Sequence, residues 1–256
     1  MNYTHAISRL PGQNFAEGIT TAGLGLPDYS KIIQQHQAYV DTLKSLGLKV
    51  LVLEPLADYP DAYFVEDVAV VLPEIAIITR PGAAARLGEQ AAITTYFDEY
   101  RPLVFIQPPG RLDGGDVLLT ENHCFIGLSQ RTNQSGAQQL AEIAVRRGYT
   151  YTTVPVSGGL HLKSSVNYIA ADTLVISQSF SEHEAFRSYK KIVLSEGDYA
   201  CNSLWINDHL IMPAGFPEVR NQFEVLGMPI IELDVSEVRK MDGGLTCLSL
   251  RFSQVN

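Results

Sequence analysis

Cysteine is scarce in this chain: Cys124, Cys201 and Cys247 are the only three among 256 residues. An odd, sparse set without paired spacing argues against a disulfide framework and fits a reducing cytoplasm. The six histidines are scattered, with no His-x-x-x-His or Cys-x-x-Cys pattern, so no dedicated metal site is expected. Basic residues are also in deficit. Nineteen Lys and Arg against 28 Asp and Glu leave a formal net charge of -9, which disfavours nucleic acid and suits a cationic small molecule. No apolar run approaches the roughly 20 residues that span a bilayer, so no membrane partner is expected. Met1-Asn2-Tyr3-Thr4-His5 has no basic stretch leading into an apolar one, so no signal peptide is expected either. What is present is an ordinary globular composition, 46% hydrophobic and 18% charged, enough to bury a large core. Length alone permits one domain or two.

The order of elements repeats. Residues 5–10 read as a strand stopped by Pro11-Gly12. Residues 29–46 read as a helix, with Ile32, Ile33, His36, Tyr39, Val40, Leu43 and Leu46 on one face and Gly47 ending it. His36 reads as packed core. Residues 49–53 follow as a buried strand. Strands at 68–72 and 75–79 then form a hairpin around Pro73-Glu74, with a helix over 89–100 and a strand at 103–106. The same order returns with strands 117–120 and 124–128, helix 135–147 and strand 149–154. It returns with strands 166–170 and 173–178, an ill-defined helix over 182–189 and strand 191–194. It returns again with strands 204–207 and 210–213, helix 218–226 and strand 229–233. The last piece, 245–252, is a lone strand that the opening strand, helix and strand would complete. Five strand-strand-helix-strand units with a period of about 40–50 residues point to a circular α/β propeller. The hairpin in each unit argues against a doubly wound parallel sheet. We read the chain as one domain, residues 1–256.

The segments that open the units carry the chemistry-bearing residues. Asp242-Gly243-Gly244-Leu245-Thr246-Cys247 sets a thiol just past a glycine pair, at the head of an apolar strand. On its own that is also the pattern of a buried structural cysteine. A thiol attacks carbon as thiolate, so it needs a lowered pKa or a base. His161, in Gly158-Gly159-Leu160-His161, takes the equivalent place in another unit; a histidine between leucines is equally a packed core residue. Leu112-Asp113-Gly114-Gly115-Asp116 parallels 241–245, and Glu66-Asp67 sits between apolar Val65 and Val68. Such carboxylates either make turns or bind a cation, and a guanidinium matches them in bidentate fashion. Arg86 and Arg131 follow the second strands of their units, placed to fork onto a carboxylate or to form surface ion pairs.

With those residues in view, the chain resembles the dimethylarginine dimethylaminohydrolases of the guanidino-modifying (pentein) superfamily. The matching segments are Phe-Val-Glu-Asp-Val-Ala-Val (64–70), Leu-Asp-Gly-Gly-Asp-Val-Leu (112–118), Arg-Thr-Asn-Gln (131–134), His-Leu-Lys-Ser (161–164), Ala-Cys-Asn (200–202) and Asp-Gly-Gly-Leu-Thr-Cys (242–247), in family order across nearly the whole chain. The resemblance implies a five-bladed α/β propeller. It makes Cys247 the nucleophile, His161 the general acid and base, and Asp113 the carboxylate supporting the histidine, where some relatives carry Glu. Asp67, with Glu66 beside it, becomes the guanidinium clamp, and Arg86 and Arg131 hold the amino-acid carboxylate. Asp61, Phe64 and Asp242 become pocket residues. Ile19 and Met241 offer backbone carbonyls to the α-amine, Ile19 from a loop that varies among relatives. Cys201 is structural.

The implied reaction converts methylated arginine, a small-molecule substrate, into citrulline and dimethylamine through a thiouronium adduct on Cys247. It uses no metal and no other cofactor. The resemblance leaves room for a homodimer. Arginine and agmatine deiminases share the scaffold; the former are longer, and the latter have no use for two carboxylate-binding arginines. A catalytically silent propeller that acts by binding is the alternative of a different class.

Overall fold

The computed structural model describes residues 2–97, 100–157 and 159–254. Asp98 and Glu99, within the helix expected over 89–100, and Gly158, the first glycine ahead of His161, lie outside the described residues.

Among the described residues the strands gather into five sheets of three. The first sheet joins the chain ends: β1 (His5–Arg9) lies between β15 (Leu250–Phe252) and β2 (Lys49–Leu53). The second holds β3 (Ala69–Val71), β4 (Ala76–Ile78) and β5 (Leu103–Phe105). The third holds β6 (Val117–Leu119), β7 (His123–Leu128) and β8 (Thr150–Pro155). The fourth holds β9 (Val166–Ala170), β10 (Thr173–Ser177) and β11 (Lys190–Leu194). The fifth holds β12 (Leu204–Ile206), β13 (His209–Pro213) and β14 (Ile230–Leu233). In every sheet the middle strand runs antiparallel to the first and parallel to the third. That is the pairing a short turn followed by a longer crossover imposes. In the first sheet Ile7 pairs with Leu250 and with Leu51, so residues far apart in the chain complete one unit.

Apolar clusters fill the spaces between successive sheets. Ile7, Leu250, Ala76 and Ile78 join the first to the second, and Val70, Ile77, Val117 and Ile126 the second to the third. Phe125, Val154, Val166 and Ile176 join the third to the fourth, and Ile169, Val175, Leu210 and Met212 the fourth to the fifth. Leu204, Ile206 and Ile211 then meet Ala6 and return to the first sheet. The arrangement is an α/β fold and is propeller-like. Each of the larger enclosed side chains (Val, Leu, Ile, Phe, Met) contributes roughly 1.5–3 kcal/mol of burial free energy.

Helix α1 (Tyr29–Ser45) starts where the Asp28 carboxylate accepts from Lys31 N at 2.7 Å. It buries Ile32, His36, Tyr39, Val40 and Leu43. His36 is core, its Nε2 2.9 Å from Ser8 Oγ, and burial pushes its pKa down to about 4. Helices α2 (Ala91–Phe97), α3 (Gln134–Val145) and α4 (Pro217–Phe223) make the next crossovers. Among the described residues no helix is long and apolar enough to cross a membrane.

Three expectations change. The 182–189 stretch is not an α-helix but a single 3-10 turn at Glu184–Phe186, whose start the His183 side chain caps by accepting from Ala185 N. Strand β2 is not buried along its length: as the outer edge of its sheet it exposes Lys49 and Leu51. A further helix, α5 (Ser236–Lys240), docks on α1 through Gln35, which bonds Ser236 Oγ and Glu237 N.

The segments that open the five units each make one 3-10 turn: Val65–Val68, Gly114–Asp116, Leu162–Ser164, Asp198–Cys201 and Thr246–Leu248. The turns touch one another in the middle of the fold. Cys247 therefore sits in a turn ahead of β15 and not within a strand.

Candidate active site

Ile19, Asp61, Phe64, Asp67, Arg86, Arg131, His161, Met241, Asp242 and Cys247 line one narrow cleft of about 20 Å³, together with Leu160 and Gly243. Asp113 stands directly behind His161. Glu66 does not line the cleft. Its carboxylate lies beside a second cavity of about 360 Å³, which shares no lining residue with the first. The larger volume does not mark the chemistry, since thiol and imidazole belong to the smaller one. Glu66, expected beside the guanidinium because it adjoins Asp67, leaves the turn in a different direction from Asp67 and faces the second cavity.

Asp113 is fully buried. Its Oδ1 accepts from Gly82 N at 2.7 Å, and its Oδ2 lies 3.1 Å from His161 Nε2. Burial alone would raise its pKa, but the bond to His161 and the nearby positive charges hold it below the usual carboxylate range. His161 is 5% exposed. Burial favours its neutral form. The charge of Asp67, 3.9 Å away, and the bond to Asp113 outweigh that and lift its pKa to about 9. Asp116, which accepts from Leu162 N at 3.0 Å and Ser129 Oγ at 2.6 Å, anchors the same turn from below.

Asp67 accepts from Gly115 N at 3.0 Å through Oδ1 and from Arg86 Nη1 at 2.5 Å through Oδ2. Gly115 has to be glycine: a Cβ there would stand 2.6 Å from His161 Nδ1 and 2.9 Å from Asp67 Oδ1. Asp67, Asp113 and His161 place one ligand atom each within 4.8 Å of one another, a spacing that a metal ion could use. All four carboxylate oxygens already accept hydrogen bonds within the protein.

The two arginines differ. Arg86 is buried. Its Nε and Nη2 bond the Glu89 carboxylate, Nη2 also donates to Asp61 O and Phe64 O, and Nη1 holds Asp67. One Nη1–H is left without a protein acceptor among the described residues. Glu89 carried no signal in the sequence, lying three residues after Arg86 in a loop. Arg131 is half-buried at the cleft and its guanidinium has no ion pair among the described residues.

Cys247 is half-buried, with its N–H donating to Gly244 O at 3.2 Å. Burial, then the charges of Glu66 and Asp67, push its thiol up to about 12. The turn before it takes its left-handed residue from Asp242, at φ 60°, and not from either glycine. Gly244 is needed for close approach: a Cβ would fall 2.4 Å from Asn202 Oδ1. Asp242 Oδ2 accepts from Thr21 N and Oγ1, and Asp61 accepts from Ile19 N, so two carboxylates clip the 18–28 loop over the cleft. Cys201 and Cys124 are both fully buried, and burial raises both thiols, Cys124 to about 12.

The cleft thus gathers a thiol, an imidazolium backed by a carboxylate, a carboxylate suited to a cation and an uncommitted arginine. Residues 28–249 match the family model described as N,N dimethylarginine dimethylhydrolase, eukaryotic. The chain is 38% identical over 253 residues to the N(G),N(G)-dimethylarginine dimethylaminohydrolase of Pseudomonas aeruginosa, covering 98% of this chain and all of that one. A crystal structure of the P. aeruginosa enzyme, a Cys-to-Ser mutant complexed with citrulline, superposes with a TM-score of 0.96 at 37% identity, over 98% of this chain and 100% of that one. A dimethylarginine dimethylaminohydrolase carrying a His-to-Gly change, in an adduct with S-methyl-L-thiocitrulline, superposes at 0.95 with 37% identity and the same coverage. By sequence and by fold, this chain belongs to the dimethylarginine dimethylaminohydrolase family.

Proposed function

We propose that this chain hydrolyses Nω-methylated L-arginine to L-citrulline and a methylamine, with dimethylarginine as the intended substrate. The carrying observation is the convergence of Cys247, the His161–Asp113 pair and Asp67 on one cleft whose rim holds Arg131. Citrulline and thiocitrulline bound to relatives at 37% identity support the substrate class and a covalent route.

The resting site holds a thiol and an imidazolium, because Cys247 is pushed up and His161 is pushed up. A substrate guanidinium beside Asp67 brings positive charge next to the thiol, lowers its pKa and lets its proton leave to solvent. The thiolate sulfur adds to the central guanidinium carbon. His161 gives its proton to the departing dimethylamine as that C–N bond breaks, leaving a thiouronium on Cys247. The imidazole, now neutral, takes a proton from water as the water oxygen adds to the same carbon. The C–S bond then breaks, the hydroxyl proton of the adduct passes to the departing sulfur, and citrulline leaves with the resting thiol and imidazolium restored. Asp113 holds the ring and its charge throughout, as the buried carboxylate does in other triads. The cysteine carries the covalent step, so the route needs neither metal nor redox cofactor.

Arg131 takes the α-carboxylate, assisted by the free Nη1–H of Arg86, and Ile19 and Met241 face the α-amine. Asp61 and Asp242 act by holding the loop above the substrate, and Phe64 walls the pocket. The cycle of apolar clusters supports a closed five-bladed propeller formed as a single domain. Free cysteines suit a cytoplasmic setting. Incubation with dimethylarginine and a colour assay for citrulline tests the activity; arginine or agmatine as the best substrate would replace it with a deiminase.

A further inference from the structure

Three residues assigned to the chemistry lie one or two positions from members of a single buried ionic cluster. Asp67 follows Glu66, His161 comes two before Lys163, and Cys247 follows Thr246. The Glu66 carboxylate accepts from Lys163 Nζ at 2.6 Å, from Arg251 Nη2 at 3.0 Å and from Thr246 Oγ1 at 2.7 Å. Each of the three turns therefore sends one side chain into the cleft and another into the shared cluster, beside the larger cavity.

Thr246 is bonded at every polar group. Its N–H donates to Asn202 Oδ1 at 2.9 Å, its carbonyl accepts from Arg251 Nη1 at 3.0 Å, and its hydroxyl donates to Glu66. Asn202 Nδ2 also reaches Thr246 Oγ1 at 3.0 Å and Lys163 O at 3.1 Å. These bonds tie the peptide that carries Cys247 to the turns of Asp67 and His161. Stability alone does not account for such a cluster. Burying charge costs as much as the pairing returns, and apolar replacements are often neutral or better. The joints between the sheets are apolar. An ionic joint supplies direction, which apolar packing does not.

We propose that Glu66 is a positioning residue that, through Thr246 and Lys163, sets Cys247 and His161 in register with Asp67. The proposal deepens the reaction described above and rests on it for the identity of the reacting groups. Glu66 does not line the cleft; it fixes where the sulfur stands relative to a cation held by Asp67. A displacement of about 1 Å at a reacting atom costs on the order of 10²-fold in rate.

The test uses the full chain and two alkylating agents that differ in charge: chloroacetamidine, whose amidinium docks at Asp67, and neutral chloroacetamide. The ratio of their second-order rate constants at Cys247 reports the register of sulfur and carboxylate, independent of turnover. We expect Thr246→Val to lower that ratio about tenfold or more and to lower kcat about 10–100-fold, with KM within about threefold. Thr246→Ser, which keeps the hydroxyl, retains the wild-type ratio. Glu66→Gln lowers the ratio at least as far as Thr246→Val, because it also weakens the bonds to Lys163 and Arg251, and the double variant is no worse than Glu66→Gln, because the Thr246 effect runs through Glu66. Should Glu66→Gln fail to fold, the two Thr246 variants decide. A folded Thr246→Val with wild-type ratio and kcat overturns the proposal, as does Thr246→Ser behaving like Val. A wild-type protein that shows the amidinium preference but releases no citrulline overturns the assigned reaction and leaves positioning to the ratio. A wild type with no such preference overturns both.

Discussion

Asp113 and His161 form a buried pair, with Oδ2 3.1 Å from Nε2 and His161 raised to about 9. Cys247, pushed up to about 12, shares the cleft with that imidazolium. The site rests as thiol and imidazolium; on the proposed route the imidazolium already holds the proton for the leaving amine, and the thiol has still to ionise. Four carboxylates near the cleft, those of Asp61, Asp67, Asp113 and Asp242, make a cation the event that changes this balance.

The pair leaves a signature in stability. His161 holds its proton more tightly in the folded protein, at about 9, than at its ordinary 6.5. Its contribution is therefore fully present below pH 6.5 and is lost as pH rises through 9. In Asp113→Asn the supporting charge is gone. The Tm deficit of that variant should be largest near pH ~6 and shrink toward pH ~9.5, with kcat down by about 10²-fold or more. A deficit that does not change with pH would contradict the pairing.

Asp67 affects the thiol and the substrate in opposite senses. Its charge is one of those that raise Cys247, after burial and Glu66. Asp67→Asn should move the pH midpoint of Cys247 alkylation by iodoacetamide downward, raising thiol reactivity at neutral pH, while citrulline formation falls by about 10²-fold or more. Mass spectrometry of the Cys247 peptide across pH measures the first effect. Parallel loss of both would show that Asp67 acts on folding alone.

Arg86 and Arg131 should separate cleanly. Arg86→Ala strands the buried carboxylates of Asp67 and Glu89, and breaking such a pair costs about 3–5 kcal/mol, a Tm loss on the order of 10 °C. Arg131→Ala should leave Tm nearly unchanged and reduce kcat/KM for methylarginine about 10–150-fold, the worth of one charged hydrogen bond. Agmatine, which has no carboxylate, should be little affected by that change. Equal losses for both substrates would remove Arg131 from the carboxylate site.

Much of this was legible in the chain because the repeat does the placing. Once Asp67, Asp113, His161 and Cys247 head equivalent units, the 3-10 turns that open those units touch one another and bring them together, whatever separates them in sequence. What was not legible depended on side-chain direction. Glu66 and Asp67 are neighbours, and only the 3-10 turn at Val65–Val68 shows that they face different cavities. Glu89 has no periodic or motif signal and is defined by its bonds to Arg86. The 182–189 segment carries a capped helix start at His183 but continues only as the 3-10 turn Glu184–Phe186.

The most direct measurement is acid quench during turnover of dimethylarginine, followed by peptide mapping of all three cysteines. A thiouronium mass is expected on the Cys247 peptide, none on the Cys124 or Cys201 peptides, and no citrulline from Cys247→Ser. An adduct on Cys201, or full activity in Cys247→Ser, would contradict the assignment of Cys247.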